Sequence, residues 1–173
     1  MAKRKPRYVP TRDEKYMGLA FWIASFSKDP DTQVGALIIS DENEPLGWGY
    51  NGPPSNFFDI DIDWRRPGKY SFIRHAAANA ITHSHGSLEG STLYLTTHPC
   101  KTCILDIVAV KIKKVIYFPF QPDKESSLCI DKETASITEE RAKKGKVDLT
   151  KFDGNLNWMR DRMGEMNLLG VFG

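Results

Sequence analysis

The chain has 173 residues, 40% hydrophobic and 27% charged, with a formal net charge of +2. That length and mixture suit a folded domain with a substantial core rather than a disordered chain. The small charge argues against a polynucleotide partner, and the absence of a long apolar run or a signal-peptide pattern argues against a membrane one.

Residues 1–173 are expected to form one domain, with 1–10, including basic Lys3, Arg4 and Lys5, as a solvated tail. A helix is predicted over 11–27: Thr11 and Glu14 fit a capping box, and Met17, Ala20, Phe21 and Ala24 recur at helical spacing. Asp29 precedes Pro30, which disfavours helical backbone there. Val34–Ile39 reads as a buried strand and Leu46–Tyr50 as its antiparallel neighbour across the short turn at 41–45. The second strand runs into Gly49-Tyr50-Asn51-Gly52, whose Asn-Gly pair marks a turn open to close approach by a ligand.

Residues 55–70 show no clean periodicity. Asp59, Asp61 and Asp63 alternate with Ile60, Ile62 and Trp64 before Arg65-Arg66-Pro67-Gly68. A loop passing over a site and a surface insertion with self-paired charges fit this stretch equally. Beyond it we expect a helix from His75 to about Ser84, a strand Leu93–Thr97, a helix from Cys100 to about Val110 and a strand Val115–Phe118. A polar loop at 121–130, a helix Ile137–Lys144 and an edge strand Val147–Leu149 follow. A last helix, Asn155–Asn167, would place Leu156, Met159, Met163 and Met166 near one face. Strands alternating with helices imply parallel pairing with right-handed crossovers. With the initial hairpin, the expected fold is α/β: a mixed five-stranded sheet with helices on both faces.

Two stretches carry chemistry, His75-Ala76-Ala77-Ala78-Asn79 and Pro99-Cys100-Lys101-Thr102-Cys103. Cysteines three apart on a first helical turn point the same way, and with one imidazole they offer three ligands and an open fourth position. Both sets would sit at helix starts at one end of the sheet, where the helix dipole favours thiolates. A structural zinc completed by His83, His85 or His98, or a redox Cys-x-x-Cys, is the competing reading. Three cysteines in all, two of them in this motif, suit a reducing compartment, with Cys129 a free thiol. The His-x-Glu plus Pro-Cys-x-x-Cys signature of zinc nucleobase deaminases uses its glutamate to move protons. Here that position is Ala77. Asn51 suits a sugar hydroxyl or its own turn, Lys28 a phosphate or solvent, and Asn79 is placed to orient backbone near the site.

Ser27 to Ala36, Gly49 to Gly52, His75 to Ile81 and Pro99 to Cys103 together resemble the deoxycytidylate (dCMP) deaminases of the wider cytidine deaminase superfamily, over roughly residues 11–120. Leu156-Asn157-Trp158 is similar to phage members. The resemblance implies a three-layer cytidine-deaminase-like fold and deamination of dCMP to dUMP in the cytoplasm (the host's, for a phage protein). It implies one Zn2+ per chain on His75, Cys100 and Cys103, and a proton shuttle at the position of Ala77. Lys28, Asn51 and Ala76 would meet the substrate. Gly49, Tyr50, Asn51 and Gly52 would line an effector site for dCTP, which activates, or dTTP, which inhibits, with Mg2+. A homo-oligomer, commonly a hexamer, is implied too. Ala77 departs from the family's His-Ala-Glu. An engineered knockout fits, since the rest of the motif is intact; a natural inactive nucleotide-binding homologue is the alternative.

Overall fold

A computed structural model describes residues 7–57, 62–119 and 131–168. The expectations for Lys3 to Lys5, Asp59 to Asp61, the 121–130 loop, Cys129 and the side chains of Met163 and Met166 lie outside the described residues. The elements run α1 (Arg12–Ala24), β1 (Gly35–Ile39), β2 (Pro45–Tyr50), α2 (Ala76–Thr82), β3 (Thr92–Leu95), α3 (Cys103–Ala109), β4 (Lys114–Tyr117), α4 (Lys132–Lys144), β5 (Asp148–Lys151) and α5 (Asn157–Leu168).

The sheet has five strands in the order β2-β1-β3-β4-β5. β1 is antiparallel to both β2 and β3, while β3–β4 and β4–β5 are parallel. The hairpin turn passes through Asn43, whose φ of 69° is a backbone state that asparagine tolerates better than most residues. Side chains alternate across the sheet, as strand geometry requires. Ala36, Ile38, Leu93, Leu95 and Val115 pack with α2 and α3 on one face. Leu37, Ile39, Tyr94 and Ile116 pack with Tyr16, Met17, Ala20 and Ile23 of α1 on the other. α5 lies on the α1 side, with Trp158 and Met159 so close to Gly18 that a Cβ there would sit 2.9 Å from each. The result is a three-layer α/β fold with a mixed sheet.

The predicted boundaries shift where local chemistry is decisive. α1 begins at the expected capping box, Glu14 N–H donating to Thr11 Oγ1 at 3.3 Å and Thr11 N–H to Glu14 Oε2 at 2.8 Å. α4 starts five residues earlier than predicted because Asp131 caps it, accepting from Thr134 N–H at 2.7 Å. α3 begins at Cys103, so Cys100 stands in the turn before the helix rather than on it. Residues 7–10 of the expected tail are tied down: Tyr8 O–H donates to Glu14 and the Tyr8 carbonyl accepts from Arg162.

Candidate active site

His75 sits just before α2 as its N-cap, and Cys103 opens α3. Both α2 and α3 pack on the same face of the sheet, which brings the two sequence motifs together. His75 Nδ1 lies 3.3 Å from the sulfurs of both Cys100 and Cys103. The three ligand atoms all fall within 4.8 Å of one another, with His75 exposed, Cys100 half-buried and Cys103 buried. Among the described residues this is the one group of three or more such side chains close enough to hold a metal. His98, a possible fourth ligand, instead has Nδ1 2.8 Å from the Pro99 carbonyl.

Zinc bond lengths put N···S and S···S edges of a tetrahedral site at about 3.6 and 3.8 Å. N···S distances of 3.3 Å with all three atoms inside 4.8 Å are compatible with that, and the donor set of one imidazole and two thiols is one zinc favours. Hydrogen bonding from Cys103, reinforced by His75, outweighs burial and holds the Cys100 thiol down at about 3. Cys103 is pushed far up, chiefly by Cys100, and the Cys100 sulfur raises His75 above its ordinary value. A metal ion held here would require both thiols deprotonated and the imidazole neutral.

Beside the cluster is a cavity lined by Asn51, Ala76, Ala77 and His98 together with the three ligand residues. Ala77, 2% exposed, brings a methyl to this wall. Asn51 reaches the cavity, but its side chain also serves its own surroundings. Its Oδ1 accepts from Val34 N–H and its Nδ2 donates to the Thr32 carbonyl, both at 2.8 Å. One amide hydrogen and one lone pair remain on that side chain for a ligand. Lys28 is exposed and does not belong to the lining. Asn79, buried, donates from Nδ2 to the Tyr50 carbonyl at 2.8 Å and so fixes α2 against the end of β2.

The residues expected around an effector point in different directions. A Cβ on Gly49 would meet the Ala80 backbone nitrogen at 2.4 Å, so this glycine is needed for α2 to cross the sheet closely. The Tyr50 ring packs near Phe26 and Trp48, at 6.2 and 6.4 Å between centroids. Asn51 turns into the cavity, and Gly52 pairs with Arg74 in an isolated antiparallel bridge.

Sequence reasoning missed one wall of the cavity. Asp29, Lys69, Tyr70 and Ile73 line it, and three of these come from the stretch just before His75. Both readings of the 55–70 stretch hold in part. Arg65 pairs with nearby Asp63 on the surface, at 2.9 Å, whereas Lys69 is 1% exposed and bridges Asp29 and Asp31, each at 2.7 Å. Burial works to lower the Lys69 pKa, but hydrogen bonds to the two carboxylates outweigh it and the value is raised. Lysine is almost never fully buried unless paired, and its partners here are roughly forty positions away, so no local pattern marks it.

The profile of the cytidine and deoxycytidylate deaminase zinc-binding region matches residues 10–119. Human deoxycytidylate deaminase is 39% identical over 111 residues, covering 60% of this chain and 62% of that protein. The deoxycytidylate deaminase of Mycobacterium phage D29 is 33% identical over 122 residues, covering 62% of this chain and 94% of the phage protein. Among solved structures, the dCMP deaminase of cyanophage S-TIM5 in complex with dCMP and dUMP aligns with a TM-score of 0.65 at 25% identity. That alignment covers 84% of this chain and all of the other. The match spans less than two thirds of the human protein's length. The zinc-binding region itself is covered from before α1 to the end of β4, and the chain belongs to the cytidine and deoxycytidylate deaminase family.

Proposed function

We propose that this chain is a dCMP deaminase whose metal centre and nucleotide cavity are intact and whose proton shuttle is missing. The observation that carries the reading is the His75–Cys100–Cys103 triangle opening onto a cavity that has Ala77 in its wall. The relatives named for dCMP, and the cyanophage protein solved with dCMP and dUMP, support the substrate. His75, Cys100 and Cys103 would hold zinc, which when bound would supply an acidified water as nucleophile at neutral pH. The overall reaction adds water at the amino-bearing ring carbon, breaks the C–N bond and releases ammonia.

The chain's own groups bind and orient. Asn51 offers its remaining amide hydrogen and lone pair to the deoxyribose, and the Ala76 backbone region borders the base. Lys28, exposed and outside the cavity lining, suits a 5′-phosphate. A carboxylate at position 77 would carry one proton from the attacking water to the ring nitrogen and a second, from the hydroxyl left on the carbon, to the leaving amine. A methyl can do neither. Losing one general acid/base costs about 10²–10⁴ in rate, and a group used in several steps more. The chain should therefore bind dCMP and turn it over negligibly. Calorimetric titration of the zinc-loaded protein tests this: dCMP should bind at one site per chain, and deoxycytidine, lacking the phosphate, more weakly. No binding of dCMP would remove the nucleotide reading.

Regulation and assembly extend the proposal. A homo-oligomer, most plainly a hexamer, would bind dCTP or dTTP with Mg2+ near Gly49 to Gly52, as a cytoplasmic enzyme of nucleotide supply. Light scattering should show an oligomer whose melting temperature rises with dTTP; a monomer with and without dTTP contradicts it.

A further inference from the structure

Two separate segments supply much of the cavity wall. One is the loop between α1 and β1, which contributes Asp29, Thr32 and Val34; the other leads into His75 and contributes Lys69, Tyr70 and Ile73. The second is pinned at its end, where Gly52 and Arg74 exchange backbone hydrogen bonds at 2.9 and 3.1 Å. Its middle is pinned by charge. Lys69 Nζ donates to Asp29 Oδ1 and Asp31 Oδ2, both at 2.7 Å, and Arg66 Nε donates to Asp31 Oδ2 at 3.2 Å and its Nη2 to Thr32 Oγ1 at 3.1 Å. Asp29 Oδ1 also accepts the backbone N–H groups of Asp31 and Thr32, at 2.9 and 3.1 Å, so the same oxygen shapes its own loop.

From this arrangement we infer that Lys69 is a positioning residue for the nucleotide: it clamps the two segments together and so sets the shape of the cavity that Asn51, Ala76 and the metal ligands share. The inference rests on the nucleotide-binding reading above. Lys69 and Asp29 are 1% and 4% exposed, so the clamp is largely desolvated. Removing the ammonium would leave Asp29 buried without its counter-ion and facing Asp31, an arrangement that is costly to keep. The two walls should then part. Because the wall contacts the ligand before any bond changes, the loss should fall on binding rather than on the chemical step.

The test compares Lys69→Met, Lys69→Gln, Lys69→Arg and Asp31→Asn with the parent, all zinc-loaded, by calorimetric titration with dCMP. The same substitutions in an Ala77→Glu background separate KM from kcat. With zinc content unchanged, Lys69→Met should weaken dCMP binding about tenfold or more and raise KM to match, with kcat within about threefold. Lys69→Arg, which keeps a cation able to bridge two carboxylates, should recover most of the affinity. Parent-like affinity in Lys69→Met, or a fall in kcat alone, overturns the inference while leaving the nucleotide reading intact. Failure of the parent itself to bind dCMP overturns both. If Lys69→Met does not fold, Lys69→Gln decides, since a neutral amide cannot bridge the two carboxylates as an ammonium does, with Asp31→Asn (45% exposed, Lys69–Asp29 contact kept) expected to fall between it and the parent: weakened binding in Lys69→Gln supports the clamp and unchanged binding overturns it.

Discussion

Glu14 gathers three donors around one carboxylate. Tyr8 O–H and Thr11 N–H donate to Oε2 at 2.7 and 2.8 Å, and Asn155 N–H to Oε1 at 2.8 Å. The Tyr8 hydrogen bond, followed by those from Asn155 and Thr11, holds its pKa down from 4.5 to about 2. A depressed carboxylate pKa contributes stability that is fully present above the unfolded value and is lost as pH falls through the folded one. The window therefore runs from about 4.5 down to about 2. Glu14→Gln should lower the melting temperature at pH 7 by roughly 2–4 °C. The gap should close across that window, because only the parent loses its charge there. Melting curves that stay parallel from pH 7 to pH 2 would contradict this. The Thr11–Glu14 box was legible because capping is local. That the same carboxylate also holds Tyr8 and the approach to α5 was not, since Asn155 is 141 positions away. Lys69 makes the same point at the site: its charge is visible in sequence, its burial between Asp29 and Asp31 is not.

At the scale of elements, legibility followed the strength of local patterning. β1 is apolar on both sides and buried throughout, and its residues alone predict it within one position. α4 is mostly polar, with only Thr138 and Ala142 buried, so its apolar residues predict a start only at the later Ile137. The cap that sets that start, Asp131, is a residue type also common in turns. β5 is half-buried at Leu149 and Thr150 and exposed at its ends, and it begins one residue later and ends two residues later than the apolar Val147–Leu149 run suggests. Gly49 shows how one residue supports two readings. In sequence it belongs to a glycine-asparagine turn suited to a ligand; in the fold its missing Cβ lets α2 lie on β2, and Asn79 then fastens the two. The helix that carries His75 and Ala77 is thus set by close packing as well as by any metal.

For the whole molecule, the hairpin followed by alternating strands and helices was enough to predict the mixed sheet, because a short turn forces antiparallel pairing and a helical crossover permits parallel. The same topology carries His75 and the Cys100–Cys103 pair to one place through α2 and α3, which share a face of the sheet. What the sequence does not show is the wall contributed by the segment before His75, whose ties through Arg66 and Lys69 reach Asp29, Asp31 and Thr32 across 34 to 40 positions. In the proposed function one side chain, at position 77, separates this chain from a working deaminase, and the Ala77→Glu protein is the sharpest check of it. Zinc-loaded Ala77→Glu, assayed with dCMP in the presence of dCTP and Mg2+, should release dUMP and ammonia in equal amounts, at a rate at least about 10²-fold above the parent. A variant that holds zinc and binds dCMP yet stays at the parent's rate would contradict the account and leave a nucleotide-binding protein in its place.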